Sequence, residues 1–491
     1  MRRPTLTLHT GIVLAAAFFA VFAAIAIGFS APPFNSGDEA AHFDYAVTVW
    51  HGHLPVFLDG LQIDPPFGQI PPAQWVSQHP PLFYAVLAPV VGPLWDSGQQ
   101  YHAVLAGRAV NAVIAGLTVL AVGWAARRVV PTRPGAASIA AVVVSLTSMF
   151  LLVGGAVYND LPNVAFGALA IGIGATALRR GLSTRLVVLA AVVTAAGMLS
   201  RLTFAVFLLA VLVAFVCARG GGWWNGLVGR AVAVVVAAAA PALAAGWFFL
   251  RNERLTGNIA GSQPVWAAEH LHRRPQGFVT TVTSPEFWTG VFSVFRGHYT
   301  ADVLWPWALL LAPLLLAVVV AGVPALRRNG RVRVPTASSG RRRHPDDSDR
   351  VADVLVALLL LAVVALVVFL QIRFTMQGGG VHARYALPVV PVLAVVMAIG
   401  LSGFGRVVSP LLVTVWVVAA GVDWSAIVDL SAPAFHEPAT LTISRVAVVL
   451  AVVALVAVLA LVWTAALRRP AVVRQPDAGD EAAADEAAVT A

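Results

Sequence analysis

The chain has 491 residues, no lysine, one cysteine and only 11% charged residues. Soluble globular domains carry roughly 25% charged residues, so this shortfall excludes a soluble enzyme. With 59% hydrophobic residues and a mean hydropathy of +0.82, it excludes a fibrous or disordered chain as well. The lone Cys217 lies in an apolar run, so no internal disulfide is possible. The missing lysine, beside abundant Ala and Val, reads as coding bias in a GC-rich genome, so the choice of Arg over Lys carries little functional weight. Also missing are a phosphate loop, a Rossmann glycine motif and any metal-ligand cluster of strong spacing. What remains is a chain whose main solvent is the bilayer.

The formal charge is +9. In a soluble protein that surplus would suggest nucleic acid, but in a membrane protein it first reports topology. Spanning helices need about 20 mostly apolar residues, and twelve segments qualify: 11–30, 103–125, 136–156, 161–178, 186–200, 202–218, 229–250, 303–325, 352–372, 385–404, 407–423 and 445–467. The first is too long for a signal-peptide core of ~7–15 residues, and Pro32-Pro33 makes a poor cleavage site, so it reads as an uncleaved anchor. Segment 81–95 would reach only about 22 Å as a helix and contains Pro89 and Pro93.

Arginine parity decides that segment. If it does not cross, 22 of the 32 basic residues fall on the cytoplasmic side, and the Arg-free loop 31–102 faces outward. Segment 81–95 is therefore expected to be re-entrant or to lie on the surface. Both termini are expected in the cytoplasm, in a multi-pass protein of the cell membrane with no nucleic-acid partner. Loops 31–102 and 251–302 are expected outside, with smaller outer segments at 373–384 and 424–444. Segment 326–351 reads as an Arg-rich cytoplasmic linker, and the tail 468–491, with five acids from 475 on, as disordered.

Polar residues in apolar context are the candidates for chemistry. In residues 35–51, Ser36 and Glu39 fit a capping box, so a helix starts just after the first span. Asp38, His42, Tyr45 and Val49 share one face, with Phe43 and Trp50 on the other. On one reading the cap accounts for Glu39, the helix dipole for Asp38, and an interfacial aromatic belt for Phe43 and Trp50. Alternatively, Asp38 is a general base at the membrane surface with His42 near it. Further on, the prolines of Ser77-Gln78-His79-Pro80-Pro81-Leu82-Phe83-Tyr84 start a surface helix and its aromatics anchor it, which leaves His79 without a structural reason.

Tyr158-Asn159-Asp160 sits at the outer mouth between two spans, as a helix cap or as part of a site. Arg201 lies in a turn between two short spans, where a cation is costly unless it faces a cavity or an anion. Arg108 lies inside the second span and also needs a partner. Gly378-Gly379-Gly380-Val381-His382-Ala383-Arg384-Tyr385-Ala386-Leu387-Pro388 opens the tenth span, where Arg384 and Tyr385 either anchor a helix or join a site. Acids and cations gathered on one face suit transfer from a lipid-phosphate donor: the acceptor hydroxyl needs a base, and the departing phosphate needs fixed positive charge.

In this order, the motifs resemble the GT-C superfamily of polyprenyl-phosphate-sugar glycosyltransferases, of the aminoarabinose-transferase and protein-mannosyltransferase type. The residues that carry the resemblance are Asp38-Glu39, Pro80-Pro81-Leu82-Phe83-Tyr84, Asn159-Asp160, Arg201 and Arg384-Tyr385 with Pro388, together with Arg251-Asn252 and Gly257-Asn258. The resemblance covers about 400 residues. It implies an all-α integral membrane fold of about 12 helices, with surface helices on a long first outer loop. Residues 1–325 would be the catalytic module and 352–467 the C-terminal helices. It further implies Asp38 as base, Glu39 and Asp160 as further site acids, and His79, Arg108, Arg201, Arg384 and Tyr385 around the donor phosphate. His42, Tyr84 and Asn159 would lie nearby. The implied partners are a polyprenyl-phosphate sugar donor, a glycan, lipid or protein acceptor, and the bilayer. The implied reaction is an inverting single displacement. Some members need a divalent cation, and nothing in this sequence fixes one. Members of the aminoarabinose type carry Lys before Pro-Pro-Leu, where this chain has His79, so a phosphate contact there would depend on pH. The competing readings are a transporter or flippase, for which paired broken helices would be expected, and a non-catalytic membrane scaffold, which would not need Asp38, or a polysaccharide ligase.

Overall fold

Runs of Ala, Val and Leu give the backbone no water to bond in a bilayer, so each segment must satisfy its own polar groups by coiling. The computed structural model describes residues 7–295, 304–328, 345–431 and 438–468, and among these there are helices, turns and no strand. In chain order the helices are α1 (Leu8–Ser30), α2 (Gly37–Trp50), α3 (Leu82–Asp96), α4 (Gln100–Val129), α5 (Pro134–Ser145), α6 (Ser148–Gly154), α7 (Asp160–Arg180), α8 (Thr184–Ser200), α9 (Ala205–Val216) and α10 (Leu227–Thr256). The short α11 (Pro264–His270), α12 (Phe278–Thr283) and α13 (Pro285–Phe292) follow. Then come α14 (Leu304–Gly322), α15 (Pro324–Arg328), α16 (Pro345–Met376), α17 (Val390–Ser402), α18 (Val408–Ser431) and α19 (Pro438–Leu467).

Among the described residues nine helices are long and apolar enough to cross a membrane, or ten if α5 and α6 together count as one bent span. The chain is a multi-pass membrane protein. All twelve expected segments are helical, but three depart from a simple span. Segment 136–156 breaks by 58° between α5 and α6. The cause is local: Ser145 Oγ donates to the Val142 carbonyl and Thr147 Oγ1 to that of Val143, while Met149 N–H bonds instead to Val294. Helices α8 and α9, of 17 and 12 residues, are only about 25 Å and 18 Å long. Helix α16 begins at Pro345, ahead of the expected start at 352, and α18 and α19 extend into the segment expected as an outer loop. The tail from 469 on, and 329–344 of the expected linker, lie outside the described residues.

Helix α1 packs against α4, α5, α6, α18 and α19. Small residues make this possible: a Cβ on Gly28 would stand 2.4 Å from the Gly155 carbonyl oxygen, so that crossing requires glycine.

Segment 31–102 has a core of its own, in which Phe34, Phe43, Tyr45, Phe83, Tyr84, Leu87 and Val91 cluster against Val104 and Val157. Phe43 is therefore a core residue between Phe34 and Trp95, at ring distances of 5.4 and 5.3 Å, and not part of an interfacial belt. Tyr84 is fully buried and stacks on Tyr45 at 3.7 Å, so it does not anchor a headgroup. The segment is pinned by buried Asp44, whose carboxylate accepts from Gln62 N–H at 2.6 Å, Ile63 N–H at 3.0 Å and Gln74 Nε2 at 2.5 Å. Burial pushes the Asp44 carboxyl up to about 6, and these three hydrogen bonds oppose the shift. At its far edge, Arg251 donates to the Pro55 carbonyl at 2.8 Å and Asn252 to that of Gln78 at 3.1 Å, tying the end of α10 to the segment.

Candidate functional site

Two ion pairs lie where segment 31–102 meets the ends of α7, α8 and α17. Asp38, in the first turn of α2, pairs with Arg384, which enters from the 3-10 turn Ala383–Val389. Asp160, the first residue of α7, pairs with Arg201, in extended backbone just after α8. Arg201 also donates to Asn159 Oδ1 at 3.2 Å, and Asn159 donates to the Ser200 carbonyl at 3.4 Å. The short α8 and α9 thus hold a cation at the mouth of α7, as a basic turn between short helices is expected to do. Side-chain exposure is 11% and 6% for Arg201 and Asp160 but 17% and 29% for Arg384 and Asp38, so the second pair is the one nearer solvent.

Aromatic and imidazole rings line the pairs. The Arg384 guanidinium lies over Tyr158 and Tyr385, at 5.0 and 5.1 Å. The hydroxyls of Tyr158 and Ser36 share a hydrogen bond of 2.6 Å, and Ser36 caps α2 by accepting from Glu39 N–H. His42 Nδ1 and the Tyr84 hydroxyl share one of 2.8 Å; the His42 ring stacks on His79 at 5.9 Å and meets Tyr158 edge-on at 5.3 Å. Burial above all, then the positive charge of Arg201 and Arg384, holds both imidazoles well below the usual histidine range, His42 also feeling His79. Both are neutral near pH 7. Burial likewise raises the Tyr158 hydroxyl, against the pull of Arg384.

The site therefore gathers Asp38, His42, His79, Tyr84, Asn159, Asp160, Arg201, Arg384 and Tyr385 from the sequence candidates. Glu39 and Arg108 are a correction. Glu39 does not close a capping box; it forms a pair with Arg108 in which both side chains are 2% exposed. Arg108 Nε and Nη2 donate to the two Glu39 oxygens, both at 2.7 Å. Arg108 also donates to the carbonyls of Gly28, Ala31 and Pro32, and Glu39 accepts from Phe34 and Val157 N–H, each at 3.1 Å. All five guanidinium donors are used, so none is left for a phosphate. This pair fastens α1, α2, α4 and the start of α7's approach together.

Asn163 and Thr203 belong to the site but were not among the candidates, and Tyr158 and Ser36, singled out only as the neighbour of Asn159 and as a helix cap, join it as well. Asn163 Nδ2 donates to Thr203 Oγ1 at 3.3 Å, and the helical spacing of Asn159, Asp160 and Asn163 was the available signal. Three buried polar atoms here have no hydrogen-bond partner among the described residues: Asp160 Oδ2, Asn163 Oδ1 and Arg384 Nε.

Among the described residues no three His, Cys, Asp or Glu side chains form a ligand group, and Asp38 and Asp160 each face a guanidinium. A surface cavity of about 340 Å³, lined by Thr48, His51, His53, Pro55 and Asp59, lies at the other end of α2 from Asp38.

No protein-family model matches the chain, and no curated protein matches it. Solved structures do. The chain is similar, over 93% of its length and 76% of the other chain, to ArnT from Cupriavidus metallidurans bound to undecaprenyl phosphate, at 13% identity and a TM-score of 0.49. Over 98% of its length it is similar to the archaeal oligosaccharyltransferase AglB from Archaeoglobus fulgidus, in complex with an inhibitory peptide and a dolichol-phosphate, at 14% identity and a TM-score of 0.44. It spans 59% of the length of that archaeal chain.

Proposed function

We propose that the chain is a membrane glycosyltransferase that moves a sugar from a polyprenyl-phosphate donor to an acceptor hydroxyl at the extracytoplasmic face. The observation that carries this reading is the gathering of two carboxylates and two guanidinium groups, from four separate parts of the chain, beneath a folded segment at one end of a membrane bundle. Charged groups are expensive at such a place, and a donor that lives in the bilayer accounts for them.

In the reaction, the acceptor oxygen attacks the anomeric carbon and its proton passes to Asp38. The bond from that carbon to the phosphate oxygen breaks with its electron pair, and the charge that grows on the phosphate is held by Arg384 and Arg201. Asp160 and Asn159 orient Arg201. The neutral His42 and His79 fill the space between the cations without adding charge of their own. Arg108 and Glu39 act through structure alone. The glycan, lipid or protein that supplies the hydroxyl approaches from the side of Asp38, the more exposed of the two acids.

The test is transfer by purified protein from radiolabelled polyprenyl-phosphate sugars to candidate acceptors, together with binding of the sugar-free lipid phosphate. Transfer that depends on Asp38 and on a phosphate-linked donor is expected. A protein that binds no polyprenyl phosphate, and instead moves a solute across vesicles, would overturn the reading.

A further inference from the structure

Among the described residues the charges of the site are balanced. Its two acids already neutralise its two cations, so an incoming phosphate meets ion pairs and not free guanidinium groups. The two pairs are not equivalent. Asp160 is the more deeply buried acid, and its partner Arg201 is also held by Asn159. Asp38 is the most exposed of the four, and it binds Arg384 through Nη2 alone. The buried Nε of Arg384 has no partner among the described residues. This guanidinium therefore has an unspent donor on the edge that a phosphate could take in a two-pronged contact.

The surroundings suit an exchange. The Tyr158 and Tyr385 rings hold the Arg384 guanidinium by its face, independently of Asp38. The Tyr158 hydroxyl holds Ser36, the cap of α2, so the helix that bears Asp38 stays in place when its side chain leaves. Asp38 can swing away by changing rotamer while both backbones stay fixed.

Building on the glycosyltransferase reading, we propose that Arg384 is a hand-over residue. It holds Asp38 before the donor arrives, exchanges that carboxylate for the donor phosphate, and so frees Asp38 to act as base only once the lipid phosphate is seated. A carboxylate paired with a guanidinium is a poor proton acceptor, whereas one that has lost its cation and stands beside an anion is a better one. Phosphate binding and activation of the base become a single event, and the donor binds before the acceptor reacts. After transfer, the proton is on Asp38 and the lipid phosphate has gained a negative charge on Arg384. When Asp38 loses its proton to water it competes for Arg384 again and helps the product leave.

The test is the affinity of the full-length protein, in lipid nanodiscs, for undecaprenyl phosphate without sugar. Exchange predicts that Asp38→Asn binds it about tenfold more tightly than wild type, because the competing carboxylate is gone, while its kcat falls about 10²–10⁴-fold. Arg384→Gln binds about tenfold more weakly, and the double variant matches Arg384→Gln, since Asp38 competes only for that side chain. Arg384→Lys and Asp38→Ser repeat the comparison should either first variant fail to give a monodisperse protein. If Asp38→Asn binds no tighter than wild type while Arg384→Gln binds more weakly, the exchange is overturned and the phosphate site stands. If neither wild type nor Asp38→Asn binds undecaprenyl phosphate, the donor reading falls and the exchange with it.

Discussion

Replacing Arg108 by Met separates a structural role from a donor-binding one. The substitution leaves Glu39 charged, 2% exposed and without its cation, and removes the donors from the carbonyls of Gly28, Ala31 and Pro32. Breaking a buried, hydrogen-bonded ion pair from one side costs about 3–5 kcal/mol, a change of between two and four powers of ten in the folded-to-unfolded ratio at about 1.4 kcal/mol per tenfold. Replacing both partners, Glu39→Met with Arg108→Met, removes the stranded charge and recovers most of that loss. Unfolding in mixed micelles of rising SDS content measures both, followed by helix signal and by size-exclusion profile. A single variant within about 1 kcal/mol of wild type would refute the fastening role. A stable single variant that has lost affinity for lipid phosphate would return Arg108 to the donor site.

Four further outcomes are expected. Arg201→Gln and Arg384→Gln each raise the donor KM about tenfold or more, measured in steady-state transfer assays, because each removes a cation from the phosphate. Asp44, whose folded-state value is about 6 against an ordinary 3.8, binds its proton more tightly in the fold. Its contribution is therefore full below 3.8 and is lost as pH rises to about 6, a difference of about 3 kcal/mol that should vanish from the stability–pH curve of Asp44→Asn. His42 and His79 have the opposite sign: both titrate below 6.5 in the fold, so the unfolded chain takes up more protons and stability falls as pH drops below 6.5, a loss that His42→Phe should reduce in thermal unfolding from pH 7 to 5. Tyr158→Phe keeps the ring over Arg384 but loses the bond to Ser36, so kcat should fall more than donor affinity, with Tyr158→Leu losing both.

The helices were legible because long apolar runs have one solution in a bilayer. The break between α5 and α6 was not, because Ser145, Thr147 and Ser148 are ordinary residues in a helix until their hydroxyls find backbone or Asp423 partners. Asp38, Asp160, Arg201 and Arg384 were visible as charges in apolar context, yet the pairing of Asp38 with Arg384 joins residues 346 positions apart and no local pattern carries it. The same long-range geometry removed Glu39 and Arg108 from the donor site. Glu39 and Asp38 are neighbours in sequence, but on a helix adjacent residues point about 100° apart, so one faces the mouth and the other the core. Phe43 and Tyr84 were misplaced at an interface because segment 31–102 was read as a loop with surface helices, whereas it folds around a core of its own.

The central claim is that Asp38 takes the proton from the acceptor at a lipid-phosphate site. Its most direct test is transfer of radiolabelled sugar from a polyprenyl-phosphate donor by wild type and Asp38→Asn, both shown monodisperse. A general base contributes typically 10²–10⁴-fold, so kcat should fall by about that much, with affinity for the lipid phosphate retained or increased. Transfer by Asp38→Asn at the wild-type rate would contradict it.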